Sequence, residues 1–326
     1  MRGGNKKMKK LALIIFLAST AFLTACGGSE TNEIQPQNQA YETEIGSITM
    51  ALLTSLDSFP VFLGYEKGFF EAEGLNMNIY RFSSAADRDV AFQINEEFDG
   101  LVFDAVALSL YQNAGIDIVA ASATMGLASI IGGEGIYTMY DLIGNSVLIS
   151  VNTAMDYILH TALDRYGIDP SDVIIEAVPS LPTRLEMLRA GQGQAATLPE
   201  PLATIAQKDG LNFITNTREL GINPFIFAFR RSTIEQKSNE LAAFYRALEN
   251  AINFINTADR EEFIDILIEI AGYPQEMRDM IEIPQFNTPR PAEHAHIQEV
   301  IDFAINRGLI DIELTAGDVI VDIFNQ

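Results

Sequence analysis

Along residues 48–81, ITMALLTSLDSFPVFLGYEKGFFEAEGLNMNIYR, apolar and polar positions fall into blocks that predict strand, turn, helix and strand. Ile48 to Leu53 is an apolar run of strand length, and Thr54, Ser55, Asp57 and Ser58 supply turn and cap chemistry. The helix that follows carries Pro60 in its first turn, where a missing N–H costs nothing. Phe62, Leu63, Phe69 and Phe70 lie at offsets 0, 1, 7 and 8, one face of a 3.6-residue helix, and Gly74 ends it before the second strand, Leu75 to Tyr80. Such a βαβ unit places hydroxyls, a carboxylate and free helix N–H groups at the carboxyl end of a sheet, where open α/β sheets bind small ligands. Ser55, Asp57, Ser58 and Phe59 are therefore the first candidate site.

The same alternation continues downstream. Asp87 to Glu97 predicts a helix with Val90, Ala91 and Ile94 on its apolar face, and Asp99-Gly100 turns the chain into the strand LVFDAV. Asp104, near that strand's end, reads either as the cap of the next helix or as a ligand partner. Ile116 to Ala123 is a strand, and Thr124, Met125 and Gly126 follow as a loop at the cleft. Gly132 to Gly135 is the expected first crossing between domains, because glycines absorb hinge rotations. Ser146 to Val151 then feeds Asn152-Thr153, the start of a helix to Gly167. Glu200 stands between Pro199 and Pro201, held at a strand end, and reads as a ligand partner or as a first-turn acid favouring the helix dipole. A second crossing is expected near 216–224, then the strand FIFAFR and a helical remainder that reads as packing and docking surface.

Composition changes the picture at the start of the chain. Residues 1–10 carry five basic side chains and no acid, and Leu11 to Leu23 is apolar but short of the roughly 20 residues that span a bilayer. This predicts a signal peptide over 1–25, with Leu23-Thr24-Ala25-Cys26 matching the bacterial lipoprotein signal and Cys26 as the lipidated residue; the other reading is a cleavable leader with an incidental cysteine. Residues 26–46 read as a polar tether of about 25 Å root-mean-square span. Without the leader the formal charge falls from −23 to about −28, which excludes nucleic acid as a partner and disfavours long-range steering of an anion. Cys26 is the sole cysteine, so no disulfide framework or thiolate metal cluster forms. His160, His294 and His296 are the three histidines, and no HExxH, Gly-x-Ser-x-Gly or P-loop pattern occurs. No catalytic residue, metal ligand or cofactor site is assigned.

Four stretches in order, FPVFLGYEKGFFEAEGL, FDGLVFDAVAL, DLIGNSVLISVNTAMDYILHTALDRYGIDPSDV and MLRAGQGQAATLPEPLA, resemble the solute-binding lipoproteins of ABC transporters that handle sulfonates, nitrate, taurine and thiamine-precursor pyrimidines. The resemblance implies an α/β chain of the type II periplasmic-binding-protein fold, with two α/β domains, a ligand cleft and a hinge. Domain one would cover 47–132 and 219–326, and domain two 133–218. It also implies that Asn152 and Thr153 face the first helix terminus across the cleft. The candidate ligand set is then Ser55, Asp57, Ser58, Phe59, Asp104, Thr124, Asn152, Thr153 and Glu200.

The implied role is a monomer anchored outside the cell membrane, delivering a small molecule to an ABC permease. A pyrimidine-synthase-like enzyme or a ligand sensor on the same fold are the alternatives. The synthase type is cytosolic and has a cysteine-rich segment, both absent here. Asp57, Asp104 and Glu200 have no Lys or Arg beside them in sequence, which favours a nitrogen heterocycle such as a thiamine-precursor pyrimidine over taurine, alkanesulfonates or nitrate. Arg81 and Arg184 are the residues able to reverse that polarity, and Glu200→Gln is expected to weaken binding more than Asn152→Ala.

Overall fold

The computed structural model describes residues 45–271, 275–281 and 283–324. The expected leader, lipidated Cys26 and nearly all of the tether lie outside these residues. Among the described residues no helix is long and apolar enough to cross a membrane.

Ten strands form two five-stranded sheets: β1 (Gly46–Leu53), β2 (Leu75–Phe82), β3 (Gly100–Asp104), β4 (Ile118–Ala123), β5 (Ala128–Gly132), β6 (Ser146–Ile149), β7 (Ile174–Ala177), β8 (Ala195–Pro199), β9 (Asn212–Asn216) and β10 (Phe225–Arg230). The sheet orders are β2-β1-β3-β10-β4 and β7-β6-β8-β5-β9, so each sheet carries one strand from beyond a crossover, β10 or β5, running antiparallel to its two neighbours. The remaining parallel pairs aim their carboxyl ends, and the helices that follow, toward the space between the lobes.

The opening unit pairs in register from Gly46 with Leu75 to Leu53 with Phe82. Its helix is interrupted: Phe59–Glu66 stops at Lys67, Gly68 takes φ 73°, and Phe69–Ala72 resumes. Phe62, Leu63 and Phe70 are buried. The long helix Ser238–Thr257, expected to serve packing and docking, is the centre of lobe one's core. Phe244, fully buried, stacks on Phe70 at 5.5 Å and meets Phe227 and Phe229 edge-on.

The chain leaves the first sheet at residues 124–127, between β4 and β5, so Gly132 to Gly135 lies inside lobe two and is not the crossing. Gly132 instead ends β5 with Ile136 packed against it, where no side chain fits. The return runs through residues 217–224, after β9, which the sequence reading had not assigned as a strand of lobe two. The two crossing segments lie side by side: the Thr217 hydroxyl donates to Gly126 O at 2.7 Å, and Asn223 Nδ2 to Thr124 O at 3.1 Å.

The helix expected over 87–97 runs over Ala85–Ile94, and its buried face differs from the apolar one. Val90 and Ile94 are 60% and 81% exposed, while Arg88 and Phe92 are buried. Ser84 caps the helix by accepting from Asp87 N, which starts it two residues early. Arg88 tolerates burial because its guanidinium lies 4.9 Å from the Phe103 ring, Nη1 donates to Val102 O at 2.6 Å, and Nε donates to Asp89 Oδ1 at 2.8 Å.

Candidate functional site

Five strands, β1, β3, β6, β7 and β8, end at the junction of the lobes, and the turns after them surround a cavity of about 60 Å³. That holds about four waters, so only a small solute fits without the lobes parting. Lobe one contributes Ser55, Asp57, Arg88 and Asp104 to its wall, and lobe two contributes Ser150 and Thr153. Apolar surface fills the rest, from Phe103, Phe225, Met155, Leu181 and two prolines, 179 and 199. The lobes touch beside it, where Leu56 N donates to Glu200 O at 3.2 Å.

Asp104 serves both roles that its position allowed. Its Oδ1 accepts from Val106 N at 3.1 Å and Ala107 N at 3.0 Å, capping the helix Ala105–Asn113, and the residue also lines the cavity. Burial pushes its carboxyl up to about 6, against the pull of those N–H groups and of Arg88. Asp57 joins the site to the crossing: its Oδ1 accepts from Gly126 N at 2.9 Å. Burial raises its carboxyl too, opposed by the Thr124 hydroxyl and by the Gly126 and Met125 N–H groups.

On the lobe-two wall, the Thr153 hydroxyl donates to Ser150 O at 2.8 Å and accepts from Met155 N at 3.2 Å, which caps the helix Ala154–Arg165. This brings a helix N-terminus, with its partial positive charge, to the cavity. Asn152 sits beside it at φ 58°, exposed, with its N–H held by Asp156 Oδ2 at 2.9 Å, and does not line the cavity.

The structure thus gathers Ser55, Asp57, Asp104 and Thr153 and separates the other candidates. Phe59 is fully buried and packs on Phe263 at 6.0 Å, inside the lobe-one core. Ser58 is buried one residue before it. Thr124 lines a smaller cavity of about 20 Å³ behind Asp57. Glu200, two residues before the helix Leu202–Lys208, accepts from Thr204 N at 3.1 Å on its Oε2, so its carboxylate faces that helix's first turn from outside it. It is not among the residues lining the cavity, and neither is Asn152.

Sequence reasoning missed Arg88 and Ser150. Neither stands in a pattern that marks it, because Arg88 reads as a surface helix charge and Ser150 as one more strand residue. Of the two arginines singled out, Arg81 lies on the surface 3.8 Å from Glu66, and Arg184 is fully buried directly behind Ser150.

Two α/β lobes with this pair of sheet orders, two adjoining crossings and a cleft at the strand ends define the type II periplasmic-binding-protein fold. Residues 145–271 match the model of the NMT1-like family. Among solved structures, the chain is similar to the periplasmic aliphatic sulphonate binding protein of Escherichia coli, at TM-score 0.72 and 16% identity over 84% of this chain and 97% of that one. It is similar to the periplasmic nitrate-binding protein of Synechocystis, at TM-score 0.67 and 15% identity over 84% of each chain. A desulfurization enzyme shares the fold at TM-score 0.63 and 12% identity, over 85% of this chain and 96% of that one. No curated protein gives a significant match to the sequence.

Proposed function

We propose that this chain is an extracytoplasmic solute-binding protein that closes its two lobes on a small organic solute and presents it to an ABC importer. The observation that carries the reading is the cavity walled by both lobes beside two adjoining crossings, a geometry in which one ligand touches both halves and holds them together. The similarity to sulphonate- and nitrate-binding proteins agrees with it. The enzyme on the same fold favours chemistry, but no histidine, cysteine or lysine is among the residues lining this cavity. A sensor would share the closing geometry and differ in its membrane partner.

The two walls differ in polarity. Lobe one offers the carboxylates of Asp104 and Asp57 beside an Arg88 guanidinium already paired with Asp89, and lobe two offers a hydroxyl and a helix N-terminus. The solute that matches both carries an N–H or ammonium donor at one end and an acceptor at the other. An aminopyrimidine of the thiamine-precursor type and taurine both satisfy this, whereas nitrate and amine-free alkanesulfonates lack the donor. The sequence-level preference for nitrogen is kept, and the ranking of pyrimidine above taurine is not.

A thermal-shift screen of 4-amino-5-hydroxymethyl-2-methylpyrimidine, taurine, methanesulfonate and nitrate tests the assignment. One of the first two, at 100 times its Kd, is expected to stabilise the protein by about 2.7 kcal/mol, a rise of several degrees in Tm. A donor set against Asp104 lowers the pKa of its carboxyl, so titration calorimetry at pH 6 in buffers of different ionisation heat should show proton release, because near pH 6 the free group is partly protonated. Stabilisation by nitrate or methanesulfonate alone, without proton release, removes the nitrogen preference.

The anchoring proposal rests on residues 1–26. Wild-type protein from a bacterial host should fractionate with membranes and show the mass of a lipidated Cys26, and Cys26→Ser should be released. A Cys26→Ser protein that stays wholly in the membrane fraction rules out the anchor.

A further inference from the structure

Arg184 is fully buried, and its four hydrogen bonds all go to uncharged oxygens. Nε and Nη2 donate to Val178 O at 3.0 and 2.8 Å, Nη1 donates to Thr197 O at 2.7 Å, and Nη2 also donates to Ser150 Oγ. No carboxylate pairs with it among the described residues, unlike Arg88 with Asp89. A buried guanidinium without an ion pair is unusual, since its desolvation is offset only by dipoles. Burial pulls its pKa down to about 9, which leaves it charged at neutral pH.

Guanidinium nitrogens only donate, so Ser150 Oγ is the acceptor in that pair and its own hydrogen must go elsewhere. It donates to Pro179 O only at 3.5 Å, the outer limit of a hydrogen bond. Ser150 lines the cavity. Its O–H, polarised by a charged donor behind it, is the group the cavity presents, and in a low-dielectric wall the unneutralised charge adds to the field of the helix terminus at Thr153.

We propose that Arg184 is a positioning residue that never touches the solute. It fixes the Ser150 hydroxyl as a hydrogen-bond donor into the cleft and makes the lobe-two wall the side that receives the solute's acceptor group, be it a sulfonate or carboxylate oxygen or a ring nitrogen. This deepens the solute-binding reading and rests on it.

The experiment is calorimetric titration of the full chain with taurine and with 4-amino-5-hydroxymethyl-2-methylpyrimidine, across wild type, Ser150→Ala, Ser150→Thr, Arg184→Gln and the double variant Ser150→Ala/Arg184→Gln. Ser150→Ala should weaken binding about tenfold or more, the loss of one charge-assisted donor, and Ser150→Thr should restore it to within about threefold. Arg184→Gln should weaken it about as much as Ser150→Ala, and the double variant should be no weaker than either single one, because both act through one hydroxyl. Additive losses, or unaltered binding by Ser150→Ala, overturn the proposal while the solute-binding role stands. If Arg184→Gln does not fold, the contrast between Ser150→Ala and Ser150→Thr decides whether the hydroxyl is a donor to the solute. Wild type that binds neither probe removes the nitrogen-bearing solute and this proposal with it.

Discussion

Replacing Phe244 with Ala is expected to lower the unfolding free energy by about 3–5 kcal/mol, measured by urea denaturation, the usual loss for a buried aromatic ring. Phe244 bridges the opening unit and the sheet of lobe one: Phe70 stacks on it, and Phe227 and Phe229 of β10 meet it edge-on at 6.0 and 5.6 Å. Gly64 lets this packing close, because its bare Cα faces Phe70 and Ala251 of the same long helix. Removal of the ring opens a cavity between the helix Ser238–Thr257 and strands from opposite ends of the sequence, and neither side collapses easily into it. Phe244→Leu, which keeps most of the volume, should lose far less. A loss under about 1 kcal/mol for Phe244→Ala would show that this helix is peripheral to the lobe-one core.

The second large effect is expected at Gly126. It lies in the first crossing with φ 68°, donates its N–H to Asp57 and accepts from the Thr217 hydroxyl of the second crossing. A Cβ there runs into the Asn223 side chain, and a left-handed conformation costs a non-glycine residue about 1–2 kcal/mol before any collision. Gly126→Ala is therefore expected to lower stability by about 2 kcal/mol or more, read as a fall of roughly 5 °C in Tm. It should also blunt the ligand-dependent compaction expected in solution scattering, because the backbone shift that relieves the collision with Asn223 moves the N–H that couples Asp57 and the cavity wall to the hinge. Wild-type Tm and undiminished compaction would place the hinge elsewhere.

Much of the fold was legible because its signals are local. The opening unit, the strand FIFAFR and the helix after Asn152-Thr153 are written in runs, caps and 3.6-residue spacing, and the structure places them where those patterns do. The first crossing was misplaced for a physical reason: β5 is a buried five-residue strand, whose pairing with β8 and β9 comes from far along the chain, and the glycines after it look like a hinge. The site was legible in part. Asp104, Thr153, Ser55 and Asp57 follow strands directly, so their place at the cleft is a consequence of α/β topology.

By itself, the sequence determined an α/β chain with strand-end turns rich in hydroxyls and carboxylates, an acidic balance of charge, and an apolar run near its start followed by its one cysteine, because each of these resides in composition or in spacing over a few residues. The tertiary structure alone decided which of those turns meet and which side chains they present. Two pentapeptides of similar pattern can lie on opposite faces of a cleft or in a core, and a charge's neighbours are set by non-local packing. That is why Phe59 went to the core and Glu200 to the helix after it, and why Arg88, which reads as a surface charge, and Arg184, which reads as able to reach the cleft, were both buried, one paired with Asp89 and the other held by carbonyls and Ser150.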